Sequence, residues 1–167
     1  MNSWKLTPCL LLLAIVLASC EGGTKFLAPA MPPPISADAL RAAPDTLSLV
    51  GYPSVIATDL YRDFMPMAPP DGNPLVAMIT FSLVSASDFS GNVTGAYVWV
   101  VNGNEVWRAP LEMQDPIRYP HDQVVFLAEG GPKWGPGIQV NVILGLTIAG
   151  RGLQLVRLPD ATIARTD

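Results

Sequence analysis

The sequence predicts an all-β domain over residues 46–167, an antiparallel β-sandwich of roughly seven to nine strands. Three observations predict it. Short β-branched and aromatic runs recur about every ten residues, separated by Gly, Pro, Asn and Asp. Several of these runs alternate in polarity, as a strand with one covered face does. No segment after residue 46 carries a sustained 3.6-residue apolar repeat, so helices are not the frame.

The elements follow in order. Runs at 46–50 and 55–62 come first, the second ending before the cluster Pro66, Pro69, Pro70, Asp71, Gly72, Asn73 and Pro74. The run 75–84 is the most apolar, and Asp88-Phe89-Ser90-Gly91-Asn92 then turns the chain. Runs 95–101 and 105–108 flank Asn102-Gly103-Asn104, and Asn-Gly between such runs is the strongest short-range hairpin signal. Within the first of them Tyr97, Trp99 and Val101 share one face. A run at 123–128 precedes a Gly/Pro loop at 129–137. Runs 138–149 and 153–158 make a second hairpin around Gly150-Arg151-Gly152, with Val140, Val142, Leu144 and Leu146 on one face. Residues 161–164 add a terminal strand.

Residues 21–45 read as a flexible tether. Glu21-Gly22-Gly23-Thr24-Lys25 is small and polar, and Pro29, Pro32, Pro33, Pro34 and Pro44 follow among alanines. Proline removes backbone donors and favours extended chain. As coil, this stretch spans about 28 Å on average and roughly 75 Å at full extension. Ser36-Ala37-Asp38-Ala39-Leu40-Arg41 has the composition of one helical turn, too short to be stable alone. The domain from residue 46 onward is therefore expected to fold by itself.

The N-terminus reads as a signal peptide, residues 1–19. The amino terminus and Lys5 precede ten unbroken apolar residues from Cys9 to Ala18. That length fits a signal core of roughly 7–15 residues and falls short of the about 20 that a membrane span needs. The run closes on Leu17-Ala18-Ser19-Cys20, which resembles the lipobox of bacterial lipoproteins. The resemblance implies that the Cys20 sulfur receives a diacylglycerol. It implies too that residues 1–19 are cut away, and that the domain is held in the bacterial cell envelope through the acylated Cys20. Glu21 stands where some Gram-negative lipoproteins carry an aspartate that retains them at the inner membrane, so the outer membrane is the expected destination in a two-membrane organism. Cys9 leaves with the signal, so no intramolecular disulfide is possible, and lipidation accounts for the single cysteine that remains.

Removal of Lys5 with the signal leaves nine basic against 14 acidic side chains, the acids being scattered. This argues against a nucleic-acid partner, which would need a clustered basic face, and against peripheral membrane binding through a polybasic patch. Charged residues make up 14% of the chain, well under the usual share of about 25%, which points to a large apolar interior or a partly covered surface.

Trp99, central on its strand and followed by a tight hairpin, places it where a tryptophan stands on strand C of immunoglobulin-like domains. That resemblance covers residues 46–165 and implies a sandwich with Trp99 in its core. The cysteine pair of immunoglobulin domains is missing.

Candidate sites are few. His121 is the one histidine, with no Gly-x-Ser-x-Gly elbow to accompany it, so it is expected to be an exposed loop residue. Asp59, Asp63 and Asp71 lack the spacing of a calcium loop. Gly130-Gly131 opens no helix that would cradle phosphate. No catalytic residue, metal site or cofactor is implied. Trp107, on the hairpin partner of Trp99, and Trp134, in the loop 130–137, are the candidate binding surface. A tryptophan among glycines and prolines has little side-chain volume beside it, and exposed tryptophans mark contacts with proteins or sugar rings. The competing expectation is that the loop folds back and Trp134 plugs the end of the sandwich. The functional expectation is a lipid-anchored, non-enzymatic module for adhesion or assembly. The partner is then an envelope protein, or in the second place a polysaccharide, with a small hydrolase as a remote alternative.

Overall fold

The runs of period two become strands in two stacked sheets. The computed structural model describes residues 30–47, 55–82, 93–114 and 123–167. The first sheet holds β1 (Val55–Asp63), β2 (Leu75–Ser82), β5 (Glu112–Met113), β6 (Gln123–Gly131) and β10 (Ala164–Thr166), in the order β10-β1-β2-β6-β5. The second holds β3 (Val93–Asn102), β4 (Glu105–Pro110), β7 (Gln139–Ile148) and β8 (Gly152–Arg157), in the order β4-β3-β7-β8, with β9 (Ala161–Thr162) paired to the start of β7. The all-β sandwich expected from the sequence is therefore the fold. From Ser48 on, the run expected at 46–50 lies outside the described residues, as do the turn at 88–92, His121 and Cys20.

Both hairpins form where expected, one of them shifted. Asn102 faces Glu105 across the ladder, so the two-residue turn is Gly103-Asn104, and the Asn-Gly pair straddles the turn instead of filling it. Gly103 supplies the positive φ, 57°, at the first central position, where a side chain would be strained. The second hairpin joins Ile148 to Gly152. One pairing departs from the antiparallel expectation. The terminal run breaks at Ile163, which turns inward and is fully buried, and β10 then lies parallel to β1, with Tyr61 opposite Ala164.

The core lies between the sheets. Leu60, Leu75, Ala77, Ile79 and Phe81 face Val98, Val100, Val142, Leu144 and Leu146. The face shared by Val140, Val142, Leu144 and Leu146 is thus the inner face of β7.

Trp99 is buried on the other side. Tyr97, Trp99 and Val101 do share a face, but it is the outer face of the second sheet, and their inward neighbours are Ala96, Val98 and Val100. The comparison with strand C therefore stops short of its tryptophan. A strap made of residues 30–47 covers this face. Ser36 caps α1 (Ala37–Arg41), accepting from the Ala39 amide, and Asp38 sits in the first turn where the helix dipole favours an anion. Leu40, the helix residue with no exposed surface, packs with Trp99, Val101 and Ile143, and Ile35, Ala37 and Ala43 close in around them. The Trp99 indole donates to the Pro33 carbonyl at 3.3 Å. Arg41 donates to Asn141 Oδ1 at 3.3 Å and to the Gly103 carbonyl, and the Arg157 amide donates to the Pro44 carbonyl at 2.7 Å. The described part of the stretch read as a free tether, 30–45, is therefore seated on the sheet. The apolar face beneath it supplies the stability that the single helical turn lacks in isolation. Gly145 makes room for the arrangement, since a Cβ there would come within 2.5 Å of the Trp99 ring.

Candidate functional site

The two tryptophans weighed as a binding surface, Trp107 and Trp134, lie at one end of the sandwich. Three segments meet there: the β1–β2 loop, residues 64–74; the β3–β4 turn, Gly103-Asn104; and the β6–β7 loop, residues 132–138. Trp107 and Trp134 both reach this end, and neither is displayed. Both are half-buried and pack against the core between the sheets. Trp107 stands opposite Val100, on the inward parity of β4. Gly131 lies against its ring, where an added Cβ would stand 3.0 Å from the indole and 2.9 Å from Leu75 Cβ. Of the two expectations for the Trp134 loop, display and folding back onto the sandwich, the structure takes the second, and the Trp134 indole donates to Glu105 Oε2 at 2.6 Å. A carboxylate accepting from an indole N–H is a charge-assisted bond, stronger than its neutral counterpart.

The organising residue of this end is Arg62, which the sequence reading passed over. Only 3% of it is exposed, and it is the one charged side chain among the described residues to be buried. Its guanidinium donates to four backbone carbonyls: Asn73 at 2.9 Å, Lys133 at 3.1 Å, Trp134 at 3.2 Å, and Asp71. Two of these belong to the β1–β2 loop and two to the β6–β7 loop, so one side chain fastens both. A guanidinium suits this task because it offers five donors in a fixed plane and stays charged. The positive charge is also spread over the Phe64 ring, 5.0 Å away, and Arg165 approaches the same ring at 4.1 Å. A signal for Arg62 does exist: it has the strand parity of the buried Leu60, directly before the proline cluster.

Polar contacts complete the loop base. The Asp63 carboxylate accepts from the Met65 amide at 2.8 Å and from Asn73 Nδ2 at 3.1 Å. Gly72, at φ 77°, lies against Phe64, and a Cβ there would clash with the ring at 2.6 Å. On the surface Lys133 pairs with Asp71 at 2.7 Å. The Lys133 hydrogen bond holds the Asp71 carboxyl below the ordinary aspartate range. A depressed carboxylate contributes above its unfolded value and loses that contribution as pH falls through the lowered one, so the pair persists throughout the neutral range.

Of the three acids weighed as oxygen ligands, Asp63 and Asp71 are engaged at this end, and Asp59 stands apart on the exposed parity of β1. No group of three or more His, Cys, Asp or Glu side chains with metal-binding spacing occurs among the described residues. Among the same residues no helix is long and apolar enough to cross a membrane. No protein-family model, no curated protein and no solved structure matches the chain.

The packing makes Trp134 a structural closure with a defined cost. Trp134→Ala is expected to lower the free energy of unfolding by about 2 kcal/mol, less than for a fully buried tryptophan because part of the side chain remains at the surface. Trp134→Phe keeps most of the ring volume and loses the bond to Glu105, and is expected to cost about 1 kcal/mol. Urea unfolding followed by circular dichroism measures both. A wild-type midpoint for Trp134→Ala would return the side chain to the role of a free contact residue.

Proposed function

We propose that this chain is a lipid-anchored module of the bacterial cell envelope, with a non-enzymatic role in binding or assembly. One observation carries the reading: the apolar run from Cys9 to Ala18 closes on Leu17-Ala18-Ser19-Cys20, the order that lipid transfer and signal cleavage require. Two acyl chains or more give stable anchoring where one gives marginal binding, so processing at Cys20 would fix the domain to its membrane. Glu21 favours the outer membrane where there are two. The partner is an envelope protein. The β6–β7 loop, fastened at Lys133 and Trp134 by Arg62, supports this, because loops on a fixed scaffold are where binding residues gather. A polysaccharide is the second reading, favoured by the placement of Trp107 and Trp134 at that same end. Their partial burial and the engaged indole of Trp134 offer less open ring for a sugar than a flat platform does.

Cys20→Ser is expected to move the protein from the detergent phase to the aqueous phase on phase separation, and to remove the lipid mass from the intact protein. A wild-type mass without lipid, with the signal cut at another position, would overturn the reading.

A further inference from the structure

The loop fastened by Arg62 ends in an apolar tip. Met67 is 97% exposed and Met65 52%, and Pro66 between them is exposed as well. Exposed large apolar side chains among the described residues also include Met31, Val55 and Met113, but only Met65 and Met67 stand two residues apart on one loop. Single exposed apolar residues are ordinary, whereas a pair on a braced projection is a contact feature. The bracing is specific. The Met65 carbonyl accepts from the Ala68 amide at 2.7 Å, and the Pro69 carbonyl accepts from the Gly72 amide at 2.8 Å, giving two successive turns. Beneath them the Asp63 carboxylate holds the Met65 amide, and the guanidiniums of Arg62 and Arg165 both lie over the Phe64 ring. Arg62 thus fixes the returning side of the loop at Asp71 and Asn73, and the tip presents two flexible, polarizable side chains to the outside.

We propose that the tip Met65-Pro66-Met67 docks on the lipid surface to which the chain is anchored. The proposal rests on the lipid-anchor reading of Cys20. The strap fixes how far the domain can stray. The described chain begins at Ala30, ten residues after Cys20, which is at most about 36 Å of extended chain and about 16–19 Å of coil. A domain of this size is itself about 36 Å across. So short a leash holds the domain within about its own diameter of the bilayer, so its surface meets lipid repeatedly, and the part most easily desolvated is favoured. Charge at this end is nearly balanced: Arg62, Lys133 and Arg165 stand against Asp63, Asp71, Glu105 and Asp167, with Lys133 paired to Asp71 and Arg165 to Asp167 at 2.7 Å. With no basic cluster around the tip among the described residues, the docking depends on apolar insertion and is indifferent to anionic lipid.

Full-length lipidated protein reconstituted in phosphatidylcholine vesicles tests this. In that protein the Cys20 sulfur is a thioether, so Met67→Cys introduces the one thiol that an environment-sensitive fluorophore can label. Met113→Cys, exposed on β5, is the control. Spin-labelled lipid is expected to quench the label at 67 several-fold more than the label at 113, and Met65→Asp is expected to abolish the difference. Equal quenching at the two positions in lipidated protein overturns the docking proposal alone. So does a label at 67 that lipid leaves unquenched but that the intact envelope shields from labelling, which would assign the tip to a protein. A wild-type mass without lipid overturns the anchor reading, and this proposal with it.

Discussion

Trp99→Ala is expected to destabilise the domain by about 3–5 kcal/mol, the cost of removing a large aromatic from a fully buried site. Trp99 has no exposed surface, and its ring is enclosed by Leu40, Val101, Ile143 and the backbone of Gly145, with Tyr97 tilted against it at 6.1 Å. The variant leaves a cavity between sheet and strap and deprives the Pro33 carbonyl of its donor. Because Trp99 lies at the centre of the strap's apolar seat, its loss has a second effect. Hydrogen exchange over 30–45 is expected to rise more than in the strands. A chain begun at residue 46 carries the same argument further. Composition alone marks 46 as the start of the domain, but without the strap Trp99, Val101 and Ile143 would lie open on the outer face of the second sheet. Such a chain is expected to bind hydrophobic dye and to associate, and a chain begun at residue 30 to remain monomeric. Urea midpoints for Trp99→Ala, and sedimentation of the two shortened chains, measure these effects. A cost under about 1 kcal/mol, or a well-behaved monomer from residue 46, would show that the strap is an ornament on a self-sufficient sandwich.

The strands were legible because alternation and turn residues are local signals. The faces were less so. On β3 the inward set Ala96, Val98, Val100 and the outward set Tyr97, Trp99, Val101 are both apolar, so parity identifies two faces without saying which one meets the other sheet. The decisive clue was in β7, where residues 142–146 form an unbroken buried run, the mark of a strand covered on both sides. Something outside the sandwich had to cover the second side. The strap that does so was obscured by its prolines, which read as coil wherever no tertiary contact holds them. The end bearing Trp107 and Trp134 was only half legible. Their location followed from the hairpin and the Gly/Pro loop, but their burial depends on Gly131 and Glu105, which meet them across the fold. Arg62 was hidden for a related reason. An arginine at the end of a strand is ordinarily solvated, and only the two loops converging on it make it internal.

Arg62→Met isolates what that burial achieves. Methionine retains much of the apolar stem and removes the donors, so the expected loss comes from hydrogen bonding more than from packing. Four carbonyls lose a partner, those of Asp71, Asn73, Lys133 and Trp134. A buried acceptor left unsatisfied costs about 1–3 kcal/mol, and loops near the surface recover part of that from water, so a net loss of about 2–4 kcal/mol is expected. The two loops should also become independent of each other. Amide exchange at Met65, Gly72 and Asn73 is expected to quicken, together with that of the β6–β7 loop, while the middle of β2 and β7 keeps its protection. Arg62→Lys separates charge from geometry, since an ammonium retains the charge but cannot span four carbonyls in one plane. It is expected to recover less than half of the lost stability. Full recovery by lysine would mean that a positive charge near Phe64 and Asp71 is what matters, and that the fork of the guanidinium is incidental. Unchanged exchange in either loop would remove Arg62 as their common support, and the rigid presentation of the methionine tip would then have to come from the turns at Met65 and Pro69 alone.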